Sequence, residues 1–239
     1  MTTGPWHVSV LIPARDEEDL LPRCLRSVLE ARAALAGRAT CDVVVAIDRS
    51  MDGSFDIARQ MLSDAGVAVR SEAGIVGVAR AMAAKAALTR RKQRTSRIWL
   101  ANTDADCWAP RTWLTDQLEM ADTGVEAVAG TVDVDSFDEH DAHVPQRFRS
   151  TYLLHSDGTH PHVHGANLGV RADAYLRAGG WANLRTAEDH DLWARLRATG
   201  ARTLSPSHLR VLTSGRRTGR APMGFASALA AHNEVILDA

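Results

Sequence analysis

The sequence predicts an α/β protein: a mostly parallel sheet with helices on both faces and a smaller mixed sheet in the second half. Three observations predict it. Short β-rich apolar runs alternate four times with helical patterns up to residue 101. Those runs are nearly continuous in apolar character, as expected of strands covered on both sides. Three of them end in polar segments that carry carboxylates, and ligands of such sheets sit beyond the carboxyl ends of the strands.

HVSVLIPA (7–14) reads as a buried strand closed by proline. A helix is expected over 16–36. Asp16, Glu17, Glu18 and Asp19 suit its positive N-terminal end, and Leu21, Leu25, Val28 and Leu29 form an apolar stripe. CDVVVAI (41–47) is a second buried strand, followed by the loop DRSMDGS (48–54) and a helix over 55–65. VAVR (67–70) is a third strand, and the Ala-rich 76–91 a third helix. RIWLA (97–101) is a fourth strand, which runs directly into NTDADC (102–107).

The rhythm then changes. A helix is expected over 110–121, and VEAVAGTVDV (125–134) alternates like one strand. Residues 135–163 are polar and carry His140, His143, His155, His160 and His162, with no assignable element. HGANLGVR (164–171), a helix over 172–178 and a GGW turn (179–181) follow. TAEDHDLWARLRATG (186–200) reads as a helix with Thr186 as N-cap and Asp189 at the capping-box position. RTLSPSHLRVLTS (202–214) reads as strand pieces, GRRTGRAPMG (215–224) as a basic, glycine-rich loop and 225–239 as a last helix. With no repeat, low-complexity tract or linker, residues 1–239 read as one domain.

The net charge is −1, so no global field recruits nucleic acid or an anionic membrane. Cys24, Cys41 and Cys107 form no CxxC pair, and a reducing, cytoplasmic location is expected. The chain opens without a basic region and apolar segment, so no secretory leader is expected, and no apolar run is long enough to span a bilayer. A peripheral contact with lipid stays open.

The chemistry-bearing residues lie at strand ends. Pro13–Asp16, Asp48–Gly53 and Asn102–Asp106 converge on one crevice if the sheet is parallel. Asp104-Ala-Asp106 is one of three Asp-x-Asp pairs in the chain, with Asp133/Asp135 and Asp189/Asp191, so position rather than spelling marks it out. HPHVH (160–164) invites a zinc reading, but the supporting cysteines and standard spacing are missing.

Six segments in order, VSVLIPARDEE, AIDRSMDGS, NTDADC, GANLGVR with AGGW, AEDHDLWARL and TSGRR, resemble the family 2 glycosyltransferases of the GT-A fold. The resemblance covers about residues 7–220. It implies a Rossmann-like, mostly parallel sheet with a nucleotide-binding half (about 7–107) and an acceptor-side half with a smaller mixed sheet (about 108–220). It implies transfer of a sugar from a UDP- or GDP-sugar to an acceptor hydroxyl, usually with inversion and with Mn2+ or Mg2+. By the resemblance Asp106 binds metal, and Asp104 binds ribose or metal. Asp48 contacts the nucleobase, although Ile47 and Arg49 depart from the usual motif and leave the base open. Pro13, Ala14 and Glu17 line the nucleoside site, and Arg80 reaches the base or the phosphates. Glu188 and Asp189 match the acceptor-side acids, with Asp189 the candidate general base. His164, Gly165 and Asn167 floor the sugar pocket, Trp181 stacks on a ring, and Arg216 and Arg217 grip the diphosphate. No histidine stands at Thr213 to complete a metal site, and His208 is the nearest.

Three other readings draw on the same sequence. A sugar-phosphate nucleotidyltransferase would need a glycine- and Lys/Arg-rich loop where this chain has PARDEE, and a dinucleotide dehydrogenase would need GxGxxG there. A non-catalytic module that holds a sugar nucleotide would have no need of Asp189. The acceptor is not legible.

Overall fold

The structure is a computed structural model that describes residues 5–221 and 223–234. Strands β1 (Trp6–Ala14), β2 (Ala39–Asp48), β3 (Gly66–Ser71) and β4 (Ile98–Asn102) are joined by helices α1 (Leu21–Ala34), α2 (Ser54–Leu62) and α3 (Val76–Thr89). All pairings among these four strands are parallel. After α4 (Trp113–Asp122) come β5 (Ala127–Ala129), β6 (Thr131–Val134), α5 (Val144–Thr151), β7 (Leu168–Arg171) and α6 (Ala172–Arg177). The chain continues through α7 (Glu188–Ala198), β8 (Thr203–Leu204), β9 (Arg210–Thr213) and α8 (Phe225–Ala231). The main sheet has the order β3-β2-β1-β4-β7-β5-β8, with β7 antiparallel to both its neighbours, and β6 and β9 form a separate parallel pair.

The alternation along β1 sorts its side chains onto two cores. Val8, Val10 and Ile12 meet Leu21, Leu25 and Val28 of α1 and Trp113, Leu114 and Leu118 of α4. Leu11 faces the opposite way, toward Ala79, Ala83, Ala84 and Ala87 of α3 and Leu192 and Leu196 of α7. The alanines of α3 let that helix lie close on the sheet. A third, smaller core joins Val134, Val144, Phe148 and Leu229, with Phe137, Tyr152 and Phe225 packed against it, so α5 and α8 are mounted together.

Three expectations are corrected. The first helix begins at Leu21, not at residue 16. Asp16 has a positive φ of 51°, and residues 16–18 are drawn instead to the neighbouring loop. Asp16 accepts from Met51 N, Glu18 from Gly53 N, and Ser50, Asp52 and Ser54 accept the backbone N–H groups of residues 16–18. The run 125–134 is not one strand. It breaks at Gly130, where a Cβ would lie 2.5 Å from Leu209 O, and the chain leaves the main sheet for the small one. Helix α7 starts at Glu188 after Ala187 in the left-handed region (φ 57°), so Thr186 is not its cap.

Asn167 is the pin between the two sheets. Its Nδ2 donates to Thr131 O and Leu209 O, both at 2.9 Å, and its Oδ1 accepts Trp113 Nε1–H at 2.9 Å. It is fully buried, so it supports the site from behind rather than touching a sugar. At the other end of the sheet, Asp42 is buried among His7, Ser9 and Arg91. Burial opposes its charge, but the hydrogen bonds from His7, Ser9 and Arg91 prevail and hold the carboxyl down at about 2. No helix among the described residues is long and apolar enough to cross a membrane.

Asn167→Ala strips the Trp113 indole N–H of its partner and removes one hydrogen bond from each of two buried carbonyls, and should destabilise the protein by about 2–4 kcal/mol in denaturant titration. Because the folded-state pKa of Asp42 is below its ordinary 3.8, its contribution is present above about pH 4 and lost toward about pH 2. Asp42→Asn should therefore flatten the acid limb of a stability–pH curve in that window.

Candidate active site

A cleft of about 540 Å3 opens beyond the carboxyl ends of β1, β2 and β4. Six carboxylates line it: Glu17, Asp48, Asp104, Asp106, Glu188 and Asp189. So many like charges beside a low-dielectric core would repel one another strongly, and two arginines from distant parts of the chain offset them.

The first is Arg80 on α3. It is 3% exposed, donates from Nη2 to Asp104 Oδ1 at 2.6 Å and from Nε to Glu188 Oε1 at 3.0 Å, and lies 5.2 Å from the Trp181 ring. Its Nη1 is buried without a partner among the described residues. Arg80 thus ties the end of β4 to the start of α7. Gly165 lies against it so closely that a Cβ there would overlap Nη2. Burial raises the pKa of Glu188 against the pull of Arg80, with Asp189 acting in the same direction as burial.

The second is Arg216, from the loop after β9. It grips Glu17 with two hydrogen bonds of 2.7 and 3.0 Å and donates to Asp106 Oδ2 at 2.8 Å. Burial pushes the Asp106 carboxyl up to about 6 despite Arg216, with Asp104 and Glu17 adding to the rise. Each aspartate of the pair keeps one oxygen clear of arginine: Asp104 Oδ2, and Asp106 Oδ1 with only a 3.7 Å contact from the Cys107 thiol. No group of three His, Cys, Asp or Glu among the described residues encloses a metal. The donor set suits a hard cation that takes two carboxylate oxygens and completes its shell with phosphate oxygens and water.

The remaining residues fall on either side of these pairs. At the β2 end Asp48 is buried, and its Oδ1 accepts from Ser71 Oγ at 2.7 Å and Gly74 N at 3.0 Å. Pro13 and Ala14 line the same end. On the opposite wall Asp189 Oδ2 accepts Gly165 N–H at 2.7 Å and Oδ1 accepts His190 N–H, so it is anchored to the adjoining segment of that wall rather than in a capping box. His164 borders the same wall.

Three sequence-derived site residues lie elsewhere. Trp181 is buried in the core under Arg80, and no ring could stack on it from the cleft. Asn167 lies behind the site, as described above. Arg217 is exposed, outside the cleft lining, with its backbone N–H on Glu139. His208 is also exposed and outside the lining. The sequence reading missed Arg185, His190 and Arg220 at the mouth, and Phe225 and Ala228 of α8 on the wall. Arg220 was signalled by its basic loop; α8 carries no motif. Three histidines of 140–162 bond to backbone carbonyls within the fold: His140 to Gly215 O, His143 to His232 O and His162 to Leu153 O.

The model of the family described as glycosyl transferase family 2 matches residues 9–177. Among curated proteins, none matches the sequence. The fold is similar to that of the mannosyltransferase PcManGT from Pyrobaculum calidifontis in complex with GDP-Man and Mn2+, with a TM-score of 0.63 and 20% identity over 97% of this chain and 70% of that one. It is similar to S. aureus TarS 1-349 in complex with UDP (TM-score 0.60, 15% identity, 88% of this chain and 61% of that one). It is also similar to M. tuberculosis glucosyl-3-phosphoglycerate synthase (0.53, 16%, 95% and 77%). This chain spans less than two thirds of TarS 1-349. At these identities the likeness establishes the fold, which is GT-A.

Arg80→Leu removes the cation from the buried Glu188 and should destabilise the protein by about 3–5 kcal/mol in chemical denaturation. Arg80→Leu combined with Glu188→Gln should recover much of that loss, and a double variant no more stable than Arg80→Leu would refute the pairing.

Proposed function

The chain belongs to glycosyl transferase family 2, and on that premise we propose that its cleft binds a nucleotide-diphosphate sugar and transfers the sugar, with inversion, to an acceptor hydroxyl. One observation carries the proposal. Asp104 and Asp106, at the end of β4, share a cleft with a buried acid at the end of β2 and with Asp189 on the facing wall.

The nucleoside lies at the Pro13–Ala14 and Asp48 end. Asp48 Oδ1 is already committed to Ser71 and Gly74, which leaves Oδ2 to accept an N–H of the base. Uracil and guanine both present such a group, and the likeness to structures holding UDP and GDP-Man supports both. Mn2+ or Mg2+ would be held by Asp106 and Asp104 through their free oxygens. When bound it neutralises charge on the departing diphosphate. Arg216 and Arg220 are within reach of the same phosphates. Arg216 exchanges its hold on Glu17 and Asp106 for phosphate oxygens, a bidentate pairing that guanidinium geometry favours.

The sugar carbon then faces the wall formed by Gly165 and Asp189. Asp189 accepts the proton of the acceptor hydroxyl as that oxygen attacks. Its anchoring to Gly165 N–H fixes the carboxylate for this, and Glu188, held by Arg80, keeps the start of α7 in register with Asp104.

Thermal unfolding with UDP-, GDP- and dTDP-sugars, with and without Mn2+, tests the binding half. One nucleotide should stabilise the wild type with Mn2+, by about 2.7 kcal/mol at 100 times its Kd, and lose its effect in Asp106→Ala. No shift from any of them in folded protein would refute the proposal. Asp189→Asn should keep the nucleotide shift while transfer falls about 10²–10⁴-fold. Unchanged transfer would remove Asp189 as the base, and retained binding with no transfer by the wild type would indicate a binding module.

A further inference from the structure

Behind the acceptor wall, three hydrogen-bonding groups form a short chain. Tyr152, just past α5, has its hydroxyl 3.1 Å from Val132 N and 3.0 Å from His164 Nε2. The backbone N–H can only donate, so the phenol oxygen accepts there. Burial pushes the Tyr152 pKa up to about 12, so the phenol keeps its proton. That proton has one partner in reach, His164 Nε2, and pointing it there satisfies every group in the chain. His164 Nε2 is then an acceptor, and a neutral imidazole must carry its proton on Nδ1.

The ring is held in this orientation. Phe225 of α8 meets it edge-on at 6.1 Å and 83°, and His162 stacks beside it at 5.8 Å. The charged groups around it are Asp189, His160, His162 and His190. Burial and the three histidines disfavour the imidazolium, Asp189 favours it, and the pKa falls to about 4. His164 therefore stays neutral through the physiological range. Nδ1 has no hydrogen-bond partner among the described residues, and the residue borders the cleft next to Gly165, whose N–H holds Asp189.

We propose that His164 is a permanent hydrogen-bond donor, through Nδ1–H, to an acceptor oxygen adjacent to the hydroxyl that attacks, and that Tyr152 is the positioning residue that sets this tautomer. The proposal rests on the glycosyl-transfer reading for the identity of the ligand, not for the tautomer. It divides the labour on the wall: Asp189 takes the proton of the attacking oxygen, and His164 selects acceptors that carry a second oxygen beside it, as a vicinal diol does. A donor aimed at the attacking oxygen itself would draw electron density from it and weaken it as a nucleophile.

Two measurements test it. In 15N-histidine NMR spectra, His164, assigned by its loss in His164→Asn, should show a protonated Nδ1 and an unprotonated Nε2 from about pH 5.5 to about pH 8. Tyr152→Phe should shift the resonances toward the Nε2–H form. An Nε2–H tautomer or an imidazolium at neutral pH in the wild type would overturn the proposal. With the donor identified by thermal shift, His164→Leu should lower kcat/KM for a diol acceptor about tenfold while nucleotide affinity is unchanged. His164→Asn, whose amide N–H lies near the place of Nδ1–H, should restore most of that loss. Transfer by His164→Leu at the wild-type level, or no rescue by Asn, would overturn the assignment. If no nucleotide binds the wild type, the glycosyl-transfer reading fails, and the NMR result alone decides the tautomer.

Discussion

The structure depends on placing six carboxylates around one cleft without letting them repel the walls apart. Arg80 and Arg216 solve this in different ways. Arg80 is buried, approaches from a helix and is locked by Trp181 and Gly165, so its pairs with Asp104 and Glu188 are part of the fold. Arg216 comes from a glycine-flanked loop and is more exposed, so its pairs with Glu17 and Asp106 are exchangeable. The permanent cation joins the two halves of the cleft, and the exchangeable one occupies the place that a charged ligand would contest. A buried ion pair contributes little net stability, because desolvation takes back most of the Coulomb gain. Here the pairs are better understood as specifying position: Arg80 bonds both Asp104, just past β4, and Glu188, at the start of α7.

The same economy explains the two sheets. The parallel half presents strand ends, and its loops carry short side chains that bind each other, as Asp16–Glu18 bind residues 50–54. The second half must build an opposing wall, and it does so by breaking a strand at Gly130 and pinning the break with Asn167. Behind that wall the third core supplies the aromatic backing that fixes Tyr152, His164 and Phe225.

Most of the first half was legible in the sequence. Strands buried on both faces announce themselves as continuous apolar runs, and their ends, with Asp48, Asp104 and Asp106, fall where expected. The acids at 16–19 misled because a run of carboxylates suits a helix start, while Asp16 and Glu18 accept loop N–H groups far off in sequence and Glu17 is held by Arg216. Trp181 and Asn167 misled in the opposite way. Asn167 follows cleft-lining residues in sequence and Trp181 follows a glycine turn, but a strand or turn sends neighbouring side chains to opposite faces. Trp181 and Asn167 took the inner one. Tyr152 could not have been found, since one aromatic residue in a polar stretch gives no periodicity to read.

The pairing of β6 with β9 joins residue 131 to residue 210 in parallel, with α5, β7, α6 and α7 threaded between them. Closing so long a loop is slow, and parallel pairs of this kind form late. During synthesis the first four strands can therefore assemble while the opposing wall is still missing, because β6 has no edge to pair with until β9 emerges. The nascent protein would pass through a stage with a formed cleft floor and an open face. Exposed strand edges are aggregation-prone, and β5, which waits for β8, and β6, which waits for β9, are the edges that this topology leaves open longest.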